Sequence, residues 1–297
     1  MAGYWISGPN NPGKKPALAR LLNIINKKQV EGNKIMKLLY EFIPRLDFVS
    51  SAAKVEDLVD GWNITDSAGG APAPSGTAVA CVLKQIYPDK IAIPMLITNY
   101  KGTVEIGSVA LAAEAMGVEG MLPDPGDPPR YGSLIRPFED GSFELISDPD
   151  KILEYRRSTG PAEGVRDFIR NTVKINNVKF GCLLTARVPA ESAIKRIQDS
   201  WDFCFFLRLE EASVPKLKEI AAECKRLGKP IYPYFVVGTE KNQKTLQRIG
   251  WPASTTMDRA EEFLADLEGV VDGIIPTCLG DAAGDMELLE RIQKFRT

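Results

Sequence analysis

Short apolar runs of five to eight residues alternate along this chain with longer stretches in which apolar positions recur at helical spacing. The runs at residues 38–43, 62–66, 91–98, 118–123, 178–184, 202–209, 230–237 and 271–277 have the length of β-strands. Between them lie TAVACVLKQI, VEIGSVALAAEAM, ESAIKRIQ, VPKLKEIAAECKRLG and MELLERIQKF, all of helical period. Ser75 and Thr103 stand where helix N-caps belong, and Gly228 stands where a helix would stop. IAIPMLIT and FCFFLRL show no polar alternation, which fits parallel strands covered by helices on one side and filled from within on the other.

Strand followed by helix, eight times over, predicts an α/β fold of the (β/α)8 TIM-barrel type, a single catalytic domain over residues 36–297. The rival is an open doubly wound sheet, but no G-x-G-x-x-G follows the first strand. Eight units in about 260 residues also match the usual size of a closed barrel. Residues 1–35, with PALARLLNIINKKQ as a helix, read as an N-terminal helical extension. Residues 128–160, rich in Pro, Gly, Arg and Asp, read as a long insertion after strand four, of the kind that covers a site.

Composition narrows the chemistry. In 297 residues, 44% hydrophobic and 26% charged, there is enough apolar side chain for a large core. Lys+Arg 37 against Asp+Glu 39 gives a net charge of −2, so no basic field draws the chain to nucleic acid. No apolar run approaches membrane-spanning length and the first residues lack a signal-peptide core, so a soluble, cytoplasmic protein is expected. Cys81, Cys182, Cys204, Cys224 and Cys278 form no C-x-x-C pair and read as buried thiols. The chain has no histidine, which removes Ser-His and Cys-His catalytic pairs, HExxH sites and most mixed zinc sites; no metal site is predicted. Acid–base work falls to carboxylates, Lys, Tyr or Cys. Exposed barrel helices commonly mediate association, so a homo-oligomer is expected.

In such barrels the reactive residues sit where strands end. Glu41 interrupts the apolar end of strand one in YEFIPR; half-buried there, a carboxylic acid would keep its proton near neutrality and could serve as a general acid. The plainer alternative is a structural pair with Arg45. Strand four runs into MLPDPGDPPRYG, where prolines stiffen the backbone around Asp127, although Asp124 and Asp127 could equally cap turns. Thr65 and Asp66, before a glycine pair, offer a possible anion or cofactor cradle, against the alternative of an ordinary loop. Arg45, Arg130, Arg136, Arg187 and Arg208 lie near the strand ends, where one or two could meet an anionic substrate tail.

LYEFIPR at the first strand, IPMLIT at the third and PGDPPRYG at the fourth, in that order and spacing, resemble the methylenetetrahydrofolate reductase family, flavin-dependent eight-stranded barrels. The resemblance spans roughly residues 38–250. It implies a one-carbon enzyme that reduces a 5,10-methylene carrier to the 5-methyl form by hydride transfer on a tetrahydrofolate-type reduced pterin. Glu41 matches the family's acid that protonates N10, and Asp127 the aspartate between pterin and flavin. Gln243 aligns with a folate-binding glutamine, and a second such glutamine falls at Phe205 or Phe206; with Arg208 these are the candidate substrate contacts. Thr65 aligns with a flavin-contacting threonine, and Met95 stands where the family has histidine. With Thr98, which closes the same strand, they are the candidate cofactor contacts. Pro125 replaces an arginine and Val188 a histidine, so the flavin half of the site is eroded and FAD is doubtful, leaving NAD(P)H as a direct hydride donor. The alternative implied by that erosion is a flavin-free methyltransferase that moves a methyl group between a corrinoid protein and N5 of tetrahydrofolate or tetrahydromethanopterin. A non-catalytic pterin-binding barrel is the third reading.

Overall fold

A computed structural model of the chain describes residues 36–98, 101–127, 148 and 162–296, together with the backbone of 134–137 and 143–146. The expected N-terminal extension, and most of the insertion at 128–160, lie outside the described residues. Eight strands close a parallel barrel: β1 (Lys37–Phe42), β2 (Gly61–Ile64), β3 (Ile91–Ile97), β4 (Gly120–Asp124), β7 (Lys179–Thr185), β8 (Phe203–Leu207), β9 (Ile231–Gly238) and β11 (Gly273–Thr277). Closure comes from the parallel pairings of β8 with β9, β9 with β11 and β11 with β1, which exclude the open sheet. β5 (Leu134–Pro137) and β6 (Phe143–Ile146) form an antiparallel pair within the insertion, and the two-residue β10 (Thr255–Thr256) adds to β9. Neither was expected from the sequence pattern.

Helices follow each barrel strand. They are α1 (Phe48–Ala53), α2 (Gly76–Ile86), α3 (Thr103–Met116), α4 (Ala162–Phe168), α5 (Ala190–Ile197), α6 (Val214–Arg226), α7 (Gln243–Ile249), α8 (Ala260–Ala265) and α9 (Ala282–Arg291). Ser75 occupies the N-cap position of α2, but its hydroxyl makes no cap bond; Thr103 lies one residue inside α3, behind Gly102. Gly228 takes φ +68° just past α6, the left-handed turn that ends a helix without a Cβ penalty. No helix among the described residues is long and apolar enough to cross a membrane.

Strand parity divides the apolar side chains into two layers. Leu38, Trp62, Leu96, Phe180 and Phe206 point out and are buried under the helices. Leu39, Ile93, Leu122, Phe203, Phe205 and Tyr234 point into the barrel. The interior is closed at its N-terminal end by Phe203, whose ring lies where a Cβ on Gly181 would come within 2.1 Å and one on Gly120 within 2.9 Å. Phe205 stacks above it, ring centroids 5.4 Å apart, and Tyr234 meets Phe205 edge-on at 6.2 Å.

The same N-terminal end carries a repeated acid device. Asp60, Glu119, Asp202 and Asp272 each immediately precede a strand, and each accepts a hydrogen bond from a backbone N–H of the strand before it: Leu38 at 2.8 Å, Ala92 at 3.0 Å, Phe180 at 2.7 Å and Ile231 at 3.0 Å. Arg296 also meets Asp60, Lys84 meets Glu119 and Arg170 meets Asp202. This end holds the barrel together, which leaves the C-terminal end for chemistry.

All five cysteines are free thiols; Cys81 is half-buried and the other four are buried. Cys182 and Cys204 pair directly across β7 and β8, with sulfurs 3.5 Å apart. Hydrogen bonds with Cys182 and Cys224, then burial, hold the Cys204 thiol far above its usual range, so it serves packing and not reactivity.

Candidate active site

At the C-terminal end the inward-facing positions turn polar. Glu41 on β1 and Asn63 on β2 are direct neighbours across the sheet. The register of β1 on β11, carried forward four residues, sets Thr277 on the other side of Glu41. Glu41 is only 9% exposed. Burial pushes its carboxyl up to about 7; a hydrogen bond with Thr277 pulls it down and the nearby Asp285 pushes it up. Its Oε2 is buried without a hydrogen-bond partner. Arg45 is exposed, and the ion pairs of the described residues do not join it to Glu41. Glu41 is therefore a buried acid at the barrel mouth with its carboxyl raised toward neutrality.

Asn63 donates its side-chain amide to the hydroxyl of Tyr234 on β9, and its Oδ1 is buried with no partner. Burial first, then the Glu41 carboxylate, raises the Tyr234 hydroxyl well above its ordinary value. Trp251 packs on Tyr234 at 5.8 Å and presents an indole N–H that is also buried and unpartnered. Arg208 lies over Trp251 at 5.7 Å and donates to the Gly250 carbonyl. Arg208 thus belongs to the rim, at a left-handed φ of 64° directly after β8.

The two acids of strand four behave differently from the expectation. Asp124, at the end of β4, is the inward one: desolvation raises its carboxyl, against the Gly126 backbone N–H, which donates to it at 3.0 Å. Asp127 is exposed, and its carboxylate accepts the backbone N–H of Gly69 at 2.8 Å. That bond ties the turn after β4 to the loop after β2. Gly126 makes the turn possible, because at φ +80° a Cβ there would fall 2.6 Å from the Ile97 side chain.

The remaining expected contacts divide. Phe205 is inside the barrel but wholly buried beneath Tyr234, so it supports the mouth instead of lining it. Phe206 is a correction: strand parity sends it outward into the helix-covered core, where it is 0% exposed and out of reach of any ligand in the barrel. Gln243 is exposed as the first residue of α7. Its neighbour Asn242 is the buried amide, donating to the carbonyls of Val237 at 2.8 Å and Cys278 at 2.7 Å and thereby joining the ends of β9 and β11. Asp66, offered as part of an anion cradle, is instead neutralised by Lys101 at 2.7 Å.

Thr65 and Thr98 are buried, and their hydroxyls donate to the backbone carbonyls of Phe42 and Asp124, each at 3.4 Å. Met95 is a half-buried thioether facing the interior. The polar edge of a flavin needs hydrogen-bond donors, and these three residues offer it two hydroxyls already bonded within the sheet and a sulfur that donates nothing. They do not fit a flavin.

The fold and the mouth together define a closed parallel (β/α)8 barrel with a buried acid at its C-terminal end. Solved structures of similar shape include a mutant tryptophan synthase alpha-subunit from Pyrococcus furiosus, with TM-score 0.51 and 10% identity over 89% of this chain and 99% of that one. A 2,3-dimethylmalate lyase of the PEP mutase/isocitrate lyase superfamily has TM-score 0.50 and 13% identity over 91% and 85%. These likenesses establish the fold alone. No protein family and no curated protein matches the sequence.

Proposed function

We propose that this barrel is an enzyme of one-carbon metabolism acting on a tetrahydrofolate-type reduced pterin, and that it reduces a 5,10-methylene bridge to a 5-methyl group. The observation that supports this most is Glu41, an acid whose carboxyl burial raises to about 7, so that a substantial fraction keeps its proton at neutrality, at the strand end where the resemblance to methylenetetrahydrofolate reductase places a proton donor. Protonation of N10 breaks the bond from N10 to the methylene carbon and leaves an N5 iminium cation. A hydride from a dihydronicotinamide co-substrate then adds to that carbon, giving the N5-methyl group and the oxidised nicotinamide. Glu41 takes its proton back from water. No step is assigned to a flavin, because Thr65, Met95 and Thr98 do not fit one. The inward Asp124 supplies the strand-four carboxylate in place of Asp127, opposite in charge to the cation that forms.

The same misfit supports a second reading, a methyltransferase between a corrinoid protein and N5, in which no hydride moves. The experiment mixes purified protein with dihydronicotinamide and methylene-tetrahydrofolate and follows loss of the dihydronicotinamide absorbance. Turnover that falls by about 10²–10⁴ in Glu41→Gln, with pterin affinity retained, is the expected result. Full turnover in that variant overturns Glu41 as the acid. Pterin binding without any hydride transfer favours the methyltransferase, and no pterin binding at all removes both readings.

A further inference from the structure

Asp285 lies in the first turn of α9, on the outer side of the barrel wall, and both its oxygens are engaged. Oδ2 accepts the Tyr40 hydroxyl at 2.9 Å and Oδ1 accepts the backbone N–H of Cys278 at 2.6 Å. Tyr40 immediately precedes Glu41 and points to the opposite face of β1, among the residues packed under the helices. Cys278 immediately follows Thr277, which the β1–β11 register sets beside Glu41. One carboxylate therefore holds the chain neighbours of both the acid and the residue beside it.

We propose that Asp285 is a positioning residue for Glu41: from behind the barrel wall it fastens the chain at the end of β11 to β1, which holds Thr277 beside the Glu41 carboxyl and leaves Glu41 Oε2 without a partner among the described residues. Its negative charge acts in the same direction as burial, favouring the protonated acid. Among the described residues, the groups facing the pair are few. Around Glu41 they are Asp285 from α9 and Tyr234 from β9, with Asp124 of β4 acting on Tyr234 in turn. Around Asp285 they are Tyr40, Cys278 and Asp281. Asp281 caps α9 through Gly284 at 3.2 Å and is itself met by Lys241 at 3.5 Å, so the cation nearby answers Asp281. Burial raises the Asp285 carboxyl, against the hydrogen bonds from Cys278 and Tyr40 and its place near the N-terminal end of a ten-residue helix, both of which favour its charge.

The proposal rests on the reading of Glu41 as a proton donor, but its test does not need turnover. Protein labelled with carbon-13 at glutamate carboxyls is titrated by NMR, the Glu41 resonance being the one missing in Glu41→Gln. Wild type is expected to titrate near neutrality, and Asp285→Asn, which removes the charge and keeps the shape, to titrate lower by roughly half to one pH unit. Tyr40→Phe keeps the charge and removes one bond to it, so its midpoint should hold or rise. An unmoved midpoint in folded Asp285→Asn overturns the proposal, and so does a fall in Tyr40→Phe, which can be read even if Asp285→Asn fails to fold. Where wild type turns over methylene-tetrahydrofolate, the high-pH fall in kcat should move down by the same amount in Asp285→Asn with KM little changed. Absence of turnover in wild type defeats the functional reading and leaves the NMR result to decide this one.

Discussion

The side-chain amide of Asn63 reaches across the barrel interior to the Tyr234 hydroxyl, although two strands, β1 and β11, separate their own strands in the sheet. The bond spans the bore just beside Glu41 and divides the apolar interior below from the polar mouth above. Tyr234→Phe removes the acceptor from a buried amide whose Oδ1 already lacks a partner. Urea unfolding should show a loss of about 1–3 kcal/mol, the cost of an unmet buried donor. Replacing Asn63 by Leu in the same variant should recover part of that loss, because no polar group is then stranded.

The raised carboxyl of Glu41 makes stability depend on pH in a predictable direction. It titrates near 7 in the folded chain against an ordinary 4.5. Between those values the native state binds the extra proton, so stability falls as pH rises through this window and stays at the lower level above it. The span corresponds to roughly 3 kcal/mol as an upper figure. Glu41→Gln has nothing to titrate there. Urea unfolding at about pH 5 and about pH 8 should show Glu41→Gln gaining on wild type at the higher pH. Parallel behaviour of the two proteins would contradict the burial of this acid.

At the opposite end, Glu119 serves both the Ala92 N–H and the Lys84 ammonium, which is 7% exposed and also donates to the Pro88 and Lys90 carbonyls at 2.7 and 2.8 Å. Glu119→Ala should lower stability by about 2–4 kcal/mol, since it orphans a backbone donor and leaves a buried cation with only neutral acceptors. Glu119→Gln keeps an acceptor for Ala92 and should lose less. Denaturant midpoints of the two variants give the comparison, and activity measured at saturating substrate should change in neither.

Gly181 has no room for a methyl group against Phe203. Gly181→Ala should cost about 1–3 kcal/mol through overpacking, seen as a lowered melting temperature. Combining it with Phe203→Leu should restore part of the loss.

Most of the barrel could be read from the chain, and much of its mouth could not. Each of the eight apolar runs coincides with a strand to within a few residues, because parallel strands buried on both faces carry few polar residues. That same uniformity hid which face each residue takes: in FCFFL nothing distinguishes Phe205 from Phe206, and only the pairing with β7 and β9 assigns one inward and one outward. Glu41 was legible because a carboxylate inside an apolar run is anomalous. Asn63, its direct neighbour on β2, carries the same kind of signal, an amide within a strand. Asp127 rests on the resemblance together with the stiff turn around it, and neither fixes the direction in which a side chain points. Asp285 was invisible, since its role depends on α9 folding back 245 residues along the chain onto Tyr40.

Phe203, packed over its two glycines, gives the inner layer of the described residues an apolar floor beneath Glu41. A guest entering at the C-terminal end would rest above that floor. On the proposed function, a hydride donor or a methyl-carrying partner would share that mouth with the pterin, and initial-rate kinetics should then show an order of binding.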